Sequence, residues 1–104
     1  MVEDTITVDT NEAAQRYEAR VDGELSIIQY SRDGDRIVFV HTEVPPALEG
    51  RGIASTLARA ALEDARARDL KVVPLCPFVR AYIQRHPEYL PLVDPAHRAR
   101  VARG

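Results

Sequence analysis

Residues 48–56, LEGRGIAST, place two glycines directly ahead of an alanine-rich apolar run. A loop that enters a helix collects unpaired amides and the positive end of the helix dipole, and both favour an anion. Glycines at positions 50 and 52 let a phosphate approach the backbone without meeting a Cβ. The stretch therefore indicates either a phosphate cradle or a glycine turn that serves only tight strand-to-helix geometry.

The residues after this loop have the spacing of an amphipathic helix. Their apolar positions recur at intervals of three and four, which predicts a helix over about Gly52 to Arg68 with one stripe facing the core. These positions are Ile53, Ala54, Leu57, Ala58, Ala61, Leu62 and Ala65.

Residues 16–43, ahead of the loop, alternate as strands do and contain the turn signals Asp22-Gly23 and Asp33-Gly34. This pattern predicts a three-stranded antiparallel meander. Pro45 and Pro46 cannot continue a paired strand, so the last strand is expected to end near Glu43. The apolar positions of the meander are Tyr17, Ala19, Val21, Leu25, Ile27, Tyr30 and residues 37–40.

Residues 71–75 read as a short strand, so strand, helix and strand form a crossover unit in which parallel pairing is expected. Cys76-Pro77 then opens a second helical pattern, which ends before His86-Pro87. The Arg- and Ala-rich tail that follows Val93 is expected to fray. Together these elements predict an α+β (mixed α/β) fold, and residues 1–104 are expected to form a single domain.

Composition limits the classes of function. The chain has 14 Lys and Arg against 16 Asp and Glu, a net charge of −2, which argues against general attraction to nucleic acid or to a membrane. A lone cysteine, Cys76, excludes an internal disulfide framework. The first residues lack the features of a signal peptide, and no run approaches the roughly 20 apolar residues that span a bilayer. We expect a cytoplasmic protein and a monomer.

Two familiar phosphate loops are absent from the sequence. There is no G-x-x-x-x-G-K-[ST], and no G-x-G-x-x-G follows a first strand with an acidic residue about 20 positions later. Nucleotide hydrolysis and dinucleotide redox chemistry therefore lose their main support. A short pyrophosphate cradle after an antiparallel meander remains.

Residues 43–65, EVPPALEGRGIASTLARAALEDA, resemble the acyl-coenzyme A signature of the GNAT superfamily of N-acetyltransferases. Its pattern, [Gln/Arg]-x-x-Gly-x-[Gly/Ala], falls on residues 49–54. Residues 75–89, LCPFVRAYIQRHPEY, are similar to a small single-domain subgroup of that superfamily. The resemblance implies a GNAT-like fold and acetyl-CoA as co-substrate, with no metal.

By this resemblance, the backbone amides of the glycine loop would hold the coenzyme A pyrophosphate, and the Glu43-Val44 backbone would pair with the pantetheine arm. Arg51 would add positive charge beside the phosphates. Glu49 departs from the family pattern, and we expect it to turn away from a pyrophosphate because like charges repel. The cofactor-binding residues implied in this way are Val44, Gly50, Arg51, Gly52, Ile53, Ala54 and Ser55.

Three residues are candidates for catalysis. Cys76 precedes Pro77 as an expected N-cap, where a helix N-terminus favours the thiolate, so it could be an acylated nucleophile or a proton donor to coenzyme A. The alternative is a small buried apolar residue. His41 and Glu43 share one strand face and could deprotonate an amine, or they could be solvated strand-end groups.

The acceptor side is expected to be open. Residues 21–24 pass straight from strand to strand, which leaves no room for the helices that roof the acceptor site in larger members of the superfamily. An exposed amine on a protein or a small polyamine suits such a groove.

Two other functions remain open. One is a non-catalytic acyl-CoA-binding or protein-interaction module with the same fold. The weaker one is a nucleic-acid binder using Arg51, Arg59, Arg66 and Arg68, but these arginines alternate with carboxylates.

Overall fold

A computed structural model describes residues 6–102 of the chain. The terminal residues 1–5 and 103–104, which the expected single domain includes, lie outside the described part. Along the chain the elements are β1 (Val8–Asn11), β2 (Arg16–Val21), β3 (Glu24–Asp33), β4 (Arg36–Glu43), α1 (Ile53–Ala67), β5 (Lys71–Pro74), α2 (Pro77–Arg85) and α3 (Pro95–Ala102). Short 3-10 turns occupy Pro46–Leu48 and Pro87–Leu92.

The five strands form one sheet in the order β1-β2-β3-β4-β5. The first four strands pair antiparallel, and β5 joins β4 in parallel after the α1 crossover. The predicted α+β class, the meander and the parallel crossover are thus confirmed. The sequence did not reveal β1, because three of the four residues in VDTN are polar and it is an edge strand whose two central residues are exposed.

Both predicted hairpins form, with a shift in the second. Asp22 and Gly23 have φ angles of 52° and 77°, and two positive φ values give the tight turn that matches the strand twist. The second turn is Gly34-Asp35, one residue later than the signal Asp33-Gly34, because Asp33 pairs with Arg36 as the last residue of β3.

A β-bulge interrupts the pairing of β3 with β4. Gln29 lies opposite His41 and Tyr30 lies opposite Phe39, so Val40 is an additional residue in β4. Since side chains alternate along a strand, this extra residue exchanges the two faces of β4 at that point.

All the helices that pack on the sheet share one buried cluster, so we call the sheet face that meets them the inner face. Six of the seven predicted positions of the α1 stripe are buried and pack with α2 residues such as Val79 and Ile83, whereas Ala54 is only half-buried. From β3 the inner face receives Ile28 and Tyr30. Leu25 and Ile27 alternate with these residues and therefore belong to the opposite, outer face, where Ile27 is still buried.

The chain end is more ordered than expected. Val93 bridges to Val72 of β5 in parallel, and the Asp94 amide donates to the Val72 carbonyl at 2.8 Å. Residues 95–102 form α3, whose Val101 is buried, and Gln84 of α2 donates a hydrogen bond to the Val101 carbonyl. The expectation of a frayed tail was wrong for residues 95–102, because Val101 packs into the core and the bond from Gln84 joins the helix to α2.

A buried tyrosine joins the sheet to α1. The Tyr17 hydroxyl of β2 donates a hydrogen bond of 2.7 Å to the Asp64 carboxylate of α1. Burial and the neighbouring Asp64 raise the pKa of Tyr17 well above its ordinary value, so the phenol stays protonated and remains a donor.

We expect Tyr17→Phe to lower the free energy of unfolding by about 1 kcal/mol, because a hydrogen bond to a carboxylate is lost while the ring remains packed. Tyr30→Phe is the matched control, since its ring lies 5.2 Å from that of Tyr17 on the same face. Chemical denaturation measures both variants. An equal effect of the two substitutions would show that the Asp64 bond adds no stability.

Candidate functional site

The N-terminus of α1 is the first component of the site. Gly52 is the N-cap in a left-handed conformation, and no side chain caps the helix. The helical hydrogen bonds begin with the Thr56 amide, which donates to the Gly52 carbonyl at 3.1 Å. The four preceding amides, those of Gly52, Ile53, Ala54 and Ser55, have no acceptor within the helix, so they present donors and positive potential at one place.

The glycines are required by backbone conformation and leave space beside the chain. Gly50 and Gly52 have φ angles of 83° and 77°, which disfavour any residue with a Cβ. A Cβ built at either position would meet nothing within 4 Å. The space over the loop is therefore open to an approaching group, whereas the Arg51 amide is already engaged with the Leu48 carbonyl at 3.3 Å.

A cavity of about 220 Å³ lies at this helix terminus. The glycine loop and the first turn of α1 form one part of its lining, and Val44 after β4 and Phe78 of α2 form another. Six of the seven residues predicted to bind a cofactor line it: Val44, Gly50, Gly52, Ile53, Ala54 and Ser55.

The two charged residues of the loop are placed differently. The Arg51 guanidinium forms an ion pair of 2.7 Å with Asp22, in the turn between β2 and β3. Glu49 is exposed and also lines the cavity. A charge-assisted bond thus ties the tip of that hairpin to the glycine loop.

His41 and Glu43 lie together on the outer face. Their side chains are 3.5 Å apart, His41 Nε2 to Glu43 Oε2, and are 53% and 71% exposed. They face outward because Thr42, between them, lies opposite the inward-facing Ile28. The predicted pairing of these two side chains on one face is what the structure shows, and the pair can reach a molecule in solvent.

Cys76 lies on the inner side of β4, across the strand from His41 and Glu43. It is the N-cap of α2, as expected, and its side chain is buried at 2% exposure. Its Sγ is 3.1 Å from the Thr42 Oγ1. The structure therefore does not bring the three candidate catalytic residues into one cluster. Thr42 was not a candidate from sequence, although its alternation with His41 and Glu43 already assigned it to the other face.

The strand edge next to Cys76 is only partly used by the sheet. Pairing between β4 and β5 ends with Phe39 opposite Pro74, and the Cys76 amide then donates to the Phe39 carbonyl at 2.8 Å. Beyond this point β4 continues to Glu43 while the chain turns into α2. Val40 and Leu75, which are 46% and 55% exposed, follow the last paired residues of the two strands.

Tyr82 and His86, near the end of α2, form a packing contact. The Tyr82 ring is buried and stacks on the His86 ring, with centroids 4.2 Å apart. Burial raises the pKa of Tyr82, so the phenol stays neutral near neutral pH. These observations support a structural role for both residues.

Residues 6–102 offer neither a metal-ion cluster nor a membrane-spanning helix. No group of three or more His, Cys, Asp or Glu side chains is arranged to hold a metal ion in that range. Within the same range, no helix has the length and apolar character needed to cross a bilayer.

Comparison with known proteins identifies relatives along most of the chain. Residues 16–92 match the family described as GCN5-related N-acetyl-transferase. Protein NATD1 of Mus musculus is 36% identical over 95 residues, which cover 86% of this chain and 86% of that protein. Protein NATD1 of Homo sapiens is also 36% identical over 95 residues, covering 86% and 84% of the two chains.

The fold has a solved counterpart. The solution NMR structure of a GCN5-like protein from Staphylococcus aureus superposes with a TM-score of 0.67 at 25% sequence identity. The alignment covers 85% of this chain and 87% of that one. The sheet and its helices thus have the arrangement of a GCN5-like domain.

Proposed function

Because the chain belongs to the GCN5-related N-acetyltransferase family, we propose that it transfers the acetyl group of acetyl-CoA to an amine on an exposed acceptor, a protein or a small polyamine. The fold of this family generally uses acetyl-CoA. The acceptor and the residues that carry out the transfer are part of the proposal.

The observation that carries the proposal is the cavity at the uncapped N-terminus of α1. Four amides without helical acceptors favour the binding of an anion at this helix terminus. The two positive-φ glycines leave open space beside these amides. The pyrophosphate of coenzyme A is a ligand of this kind. A side-chain cap is the usual way to satisfy such amides, and its absence here favours a bound anion in that role.

The strand next to the cavity offers a place for the pantetheine arm. Val44 lines the cavity, and the edge of β4 from Val40 to Glu43 continues beyond its ladder with β5. An extended amide-containing chain can add to such an edge through backbone hydrogen bonds. This path leads from the glycine loop toward both Cys76 and the His41–Glu43 pair.

Two routes of acetyl transfer are compatible with this arrangement. In the direct route the amine nitrogen attacks the thioester carbonyl, His41 with Glu43 accepts the amine proton, and coenzyme A leaves as a thiolate that is then protonated. In the relay route the Cys76 sulfur attacks the thioester carbonyl, and coenzyme A leaves as a thiol that takes up the cysteine proton, so that an acetyl-cysteine forms. The amine nitrogen then attacks the acetyl-cysteine carbonyl, and the departing Cys76 sulfur takes up the amine proton and becomes a thiol again. The two sets of groups act from opposite faces of β4.

An open acceptor side fits the short turn between β2 and β3. Only Asp22 and Gly23 separate these strands, and the exposed His41–Glu43 pair lies on the face that the helices leave uncovered. A carboxylate beside an exposed histidine suits a cationic amine.

Three of the four arginines named for the nucleic-acid alternative are engaged with carboxylates, which weakens that alternative. Arg51, Arg66 and Arg68 form ion pairs with Asp22, Glu63 and Asp64, respectively.

We expect Gly52→Ala to weaken acetyl-CoA binding about tenfold, because a methyl group enters the space beside the α1 amides and one hydrogen bond to a charged phosphate is lost. Titration calorimetry with acetyl-CoA measures the effect. Gly34→Ala is the matched control, since Gly34 has a similar φ of 62° and equal free space in a distant turn.

Both glycine substitutions are expected to lower the free energy of unfolding by about 1 kcal/mol, the strain of an L-residue at positive φ. Only Gly52→Ala is expected to change binding. Absence of any heat with acetyl-CoA in the unaltered protein, together with unchanged amide NMR signals over residues 50–55, would contradict the proposed cradle.

Replacing Cys76 separates the two routes. We expect Cys76→Ala to reduce acetyl transfer to an amine panel by roughly a hundredfold or more while acetyl-CoA binding is retained, because the attacking sulfur is lost. Intact mass spectrometry after incubation with acetyl-CoA should find one added acetyl group at Cys76. The double variant His41→Gln and Glu43→Gln tests the direct route in the same assay, because it removes the groups that would accept the amine proton.

An unchanged rate of acetyl transfer in Cys76→Ala would contradict the relay route. It would show that Cys76 serves only in packing and that transfer follows the direct route. Binding of acetyl-CoA without transfer to any amine and without an acetylated cysteine would favour the alternative function, a non-catalytic acyl-CoA-binding module.

A further inference from the structure

The contact between Thr42 and Cys76 joins two segments that are 34 residues apart in the chain. Thr42 Oγ1 and Cys76 Sγ are 3.1 Å apart, within hydrogen-bonding distance for sulfur, and either atom can be the donor. Thr42 is half-buried and the thiol is almost fully buried. On the side that faces β4, the Cys76 sulfur therefore has a polar contact with the Thr42 hydroxyl.

The bulge at Val40 is the reason that a hydroxyl reaches this place. Ile37 and Phe39 face inward, and uninterrupted alternation would turn His41 inward and Thr42 outward. The additional residue reverses this order, so Thr42 points inward opposite Ile28. The bulge therefore turns the His41 side chain toward solvent and the Thr42 side chain toward Cys76.

The backbone around Cys76 fixes the position of its side chain. The Cys76 amide donates to the Phe39 carbonyl at 2.8 Å, and its carbonyl accepts from the Arg80 amide at 3.0 Å in the first turn of α2. As an N-cap, Cys76 makes no side-chain bond to the helix amides. The sulfur is directed to Thr42 instead of capping its own helix.

Sequence neighbours of Thr42 and Cys76 line the candidate cofactor cavity. Val44 is the next inward-facing residue of the chain after Thr42, Phe78 follows Cys76 by two residues, and both Val44 and Phe78 line the cavity. The sulfur and the hydroxyl thus lie next to the two segments between which a thioester would reach β4.

We propose that Thr42 is a positioning residue for Cys76: its hydroxyl holds the sulfur against β4 and donates a hydrogen bond to the thiolate form. The catalytic meaning of this inference rests on the relay route of the proposed function. The hydrogen bond itself does not, because it can be tested on the free protein. A hydroxyl that donates to the thiolate increases the share of cysteine in the nucleophilic form.

The test measures the ratio of thiolate to thiol by ultraviolet absorbance at a fixed, mildly alkaline pH. Cys76 is the only cysteine of the chain, so Cys76→Ser supplies the baseline for every other chromophore. Thr42→Val removes the hydroxyl and keeps the size of the side chain, and we expect it to lower the ratio about tenfold, the effect of one hydrogen bond to a charged group. Thr42→Ser keeps a hydroxyl and should retain most of the ratio.

Two results would overturn the inference: a ratio in Thr42→Val equal to that of the unaltered protein, or an equal loss in Thr42→Val and Thr42→Ser. The second result would indicate that packing, not the hydroxyl, holds the sulfur. Thr42→Ala is an additional hydroxyl-free variant in case the valine disturbs folding, which thermal unfolding monitors.

A second measurement separates this inference from the proposed function. The rate of acetyl addition to Cys76 from acetyl-CoA is followed by intact mass, and it should fall about tenfold in Thr42→Val and recover in Thr42→Ser. If no variant is acetylated but the thiolate ratio follows the hydroxyl, the relay route fails and Thr42 still positions the sulfur. If acetylation occurs and is insensitive to the hydroxyl, the relay route stands and the role of Thr42 fails.

Discussion

The additional residue of β4, Val40, is the constraint on which the arrangement of the site depends. Before it, Ile37 and Phe39 contribute to the core, and after it the inward positions are Thr42 and Val44. A bulge bends and twists its strand locally, and it lies where β4 loses its pairing with β5. One inserted residue therefore places the solvent-facing His41–Glu43 pair and the buried Cys76 thiol on opposite sides of the same strand, while the hydrophobic face stays packed against α1.

Much of this fold could be predicted from sequence because its signals are local. The α1 stripe, the positive-φ turn at Asp22-Gly23 and the start of α2 at Pro77 each depend on residues close together in the chain. The strand β1 could not be found, because it is short, only Val8 is apolar, and its order depends on pairing with β2. The helix α3 was missed for the same reason, since its burial depends on contacts with α2.

The candidate site divides in a similar way. The glycine loop was recognisable because positive φ and an uncapped helix are properties of the loop itself. Two contacts of the site join segments that are distant in the chain: Arg51 with Asp22, and Cys76 with Thr42. The residue spacing within any one of these segments does not predict them. The β-bulge at Val40 is equally hard to predict from sequence. One additional residue shifts the alternation of side chains, but the pattern on each side of it is still that of a regular strand.

The uncapped end of α1 gives up some stability for accessibility. A Ser, Thr, Asp or Asn at the N-cap stabilises a helix by about 1 kcal/mol relative to a residue without a capping side chain. A glycine N-cap is only slightly less stabilising, because it leaves the helix amides accessible to solvent. Gly52 takes the N-cap position here, and its carbonyl accepts hydrogen bonds from both the amide and the hydroxyl of Thr56. Neither bond uses the four amides ahead of Thr56, which are therefore left available to a ligand.

The closure of the chain end on β5 also affects how the sheet can grow. On that side the backbone groups of Val72 are taken up by the Val93–Asp94 segment, which occupies the position of a neighbouring strand. At the other side, within residues 6–102, the sheet ends in the four-residue strand β1. Short or covered edges limit the pairing of one molecule with the next. A strand from another molecule can therefore pair along Val72 only if the Val93–Asp94 segment first leaves it.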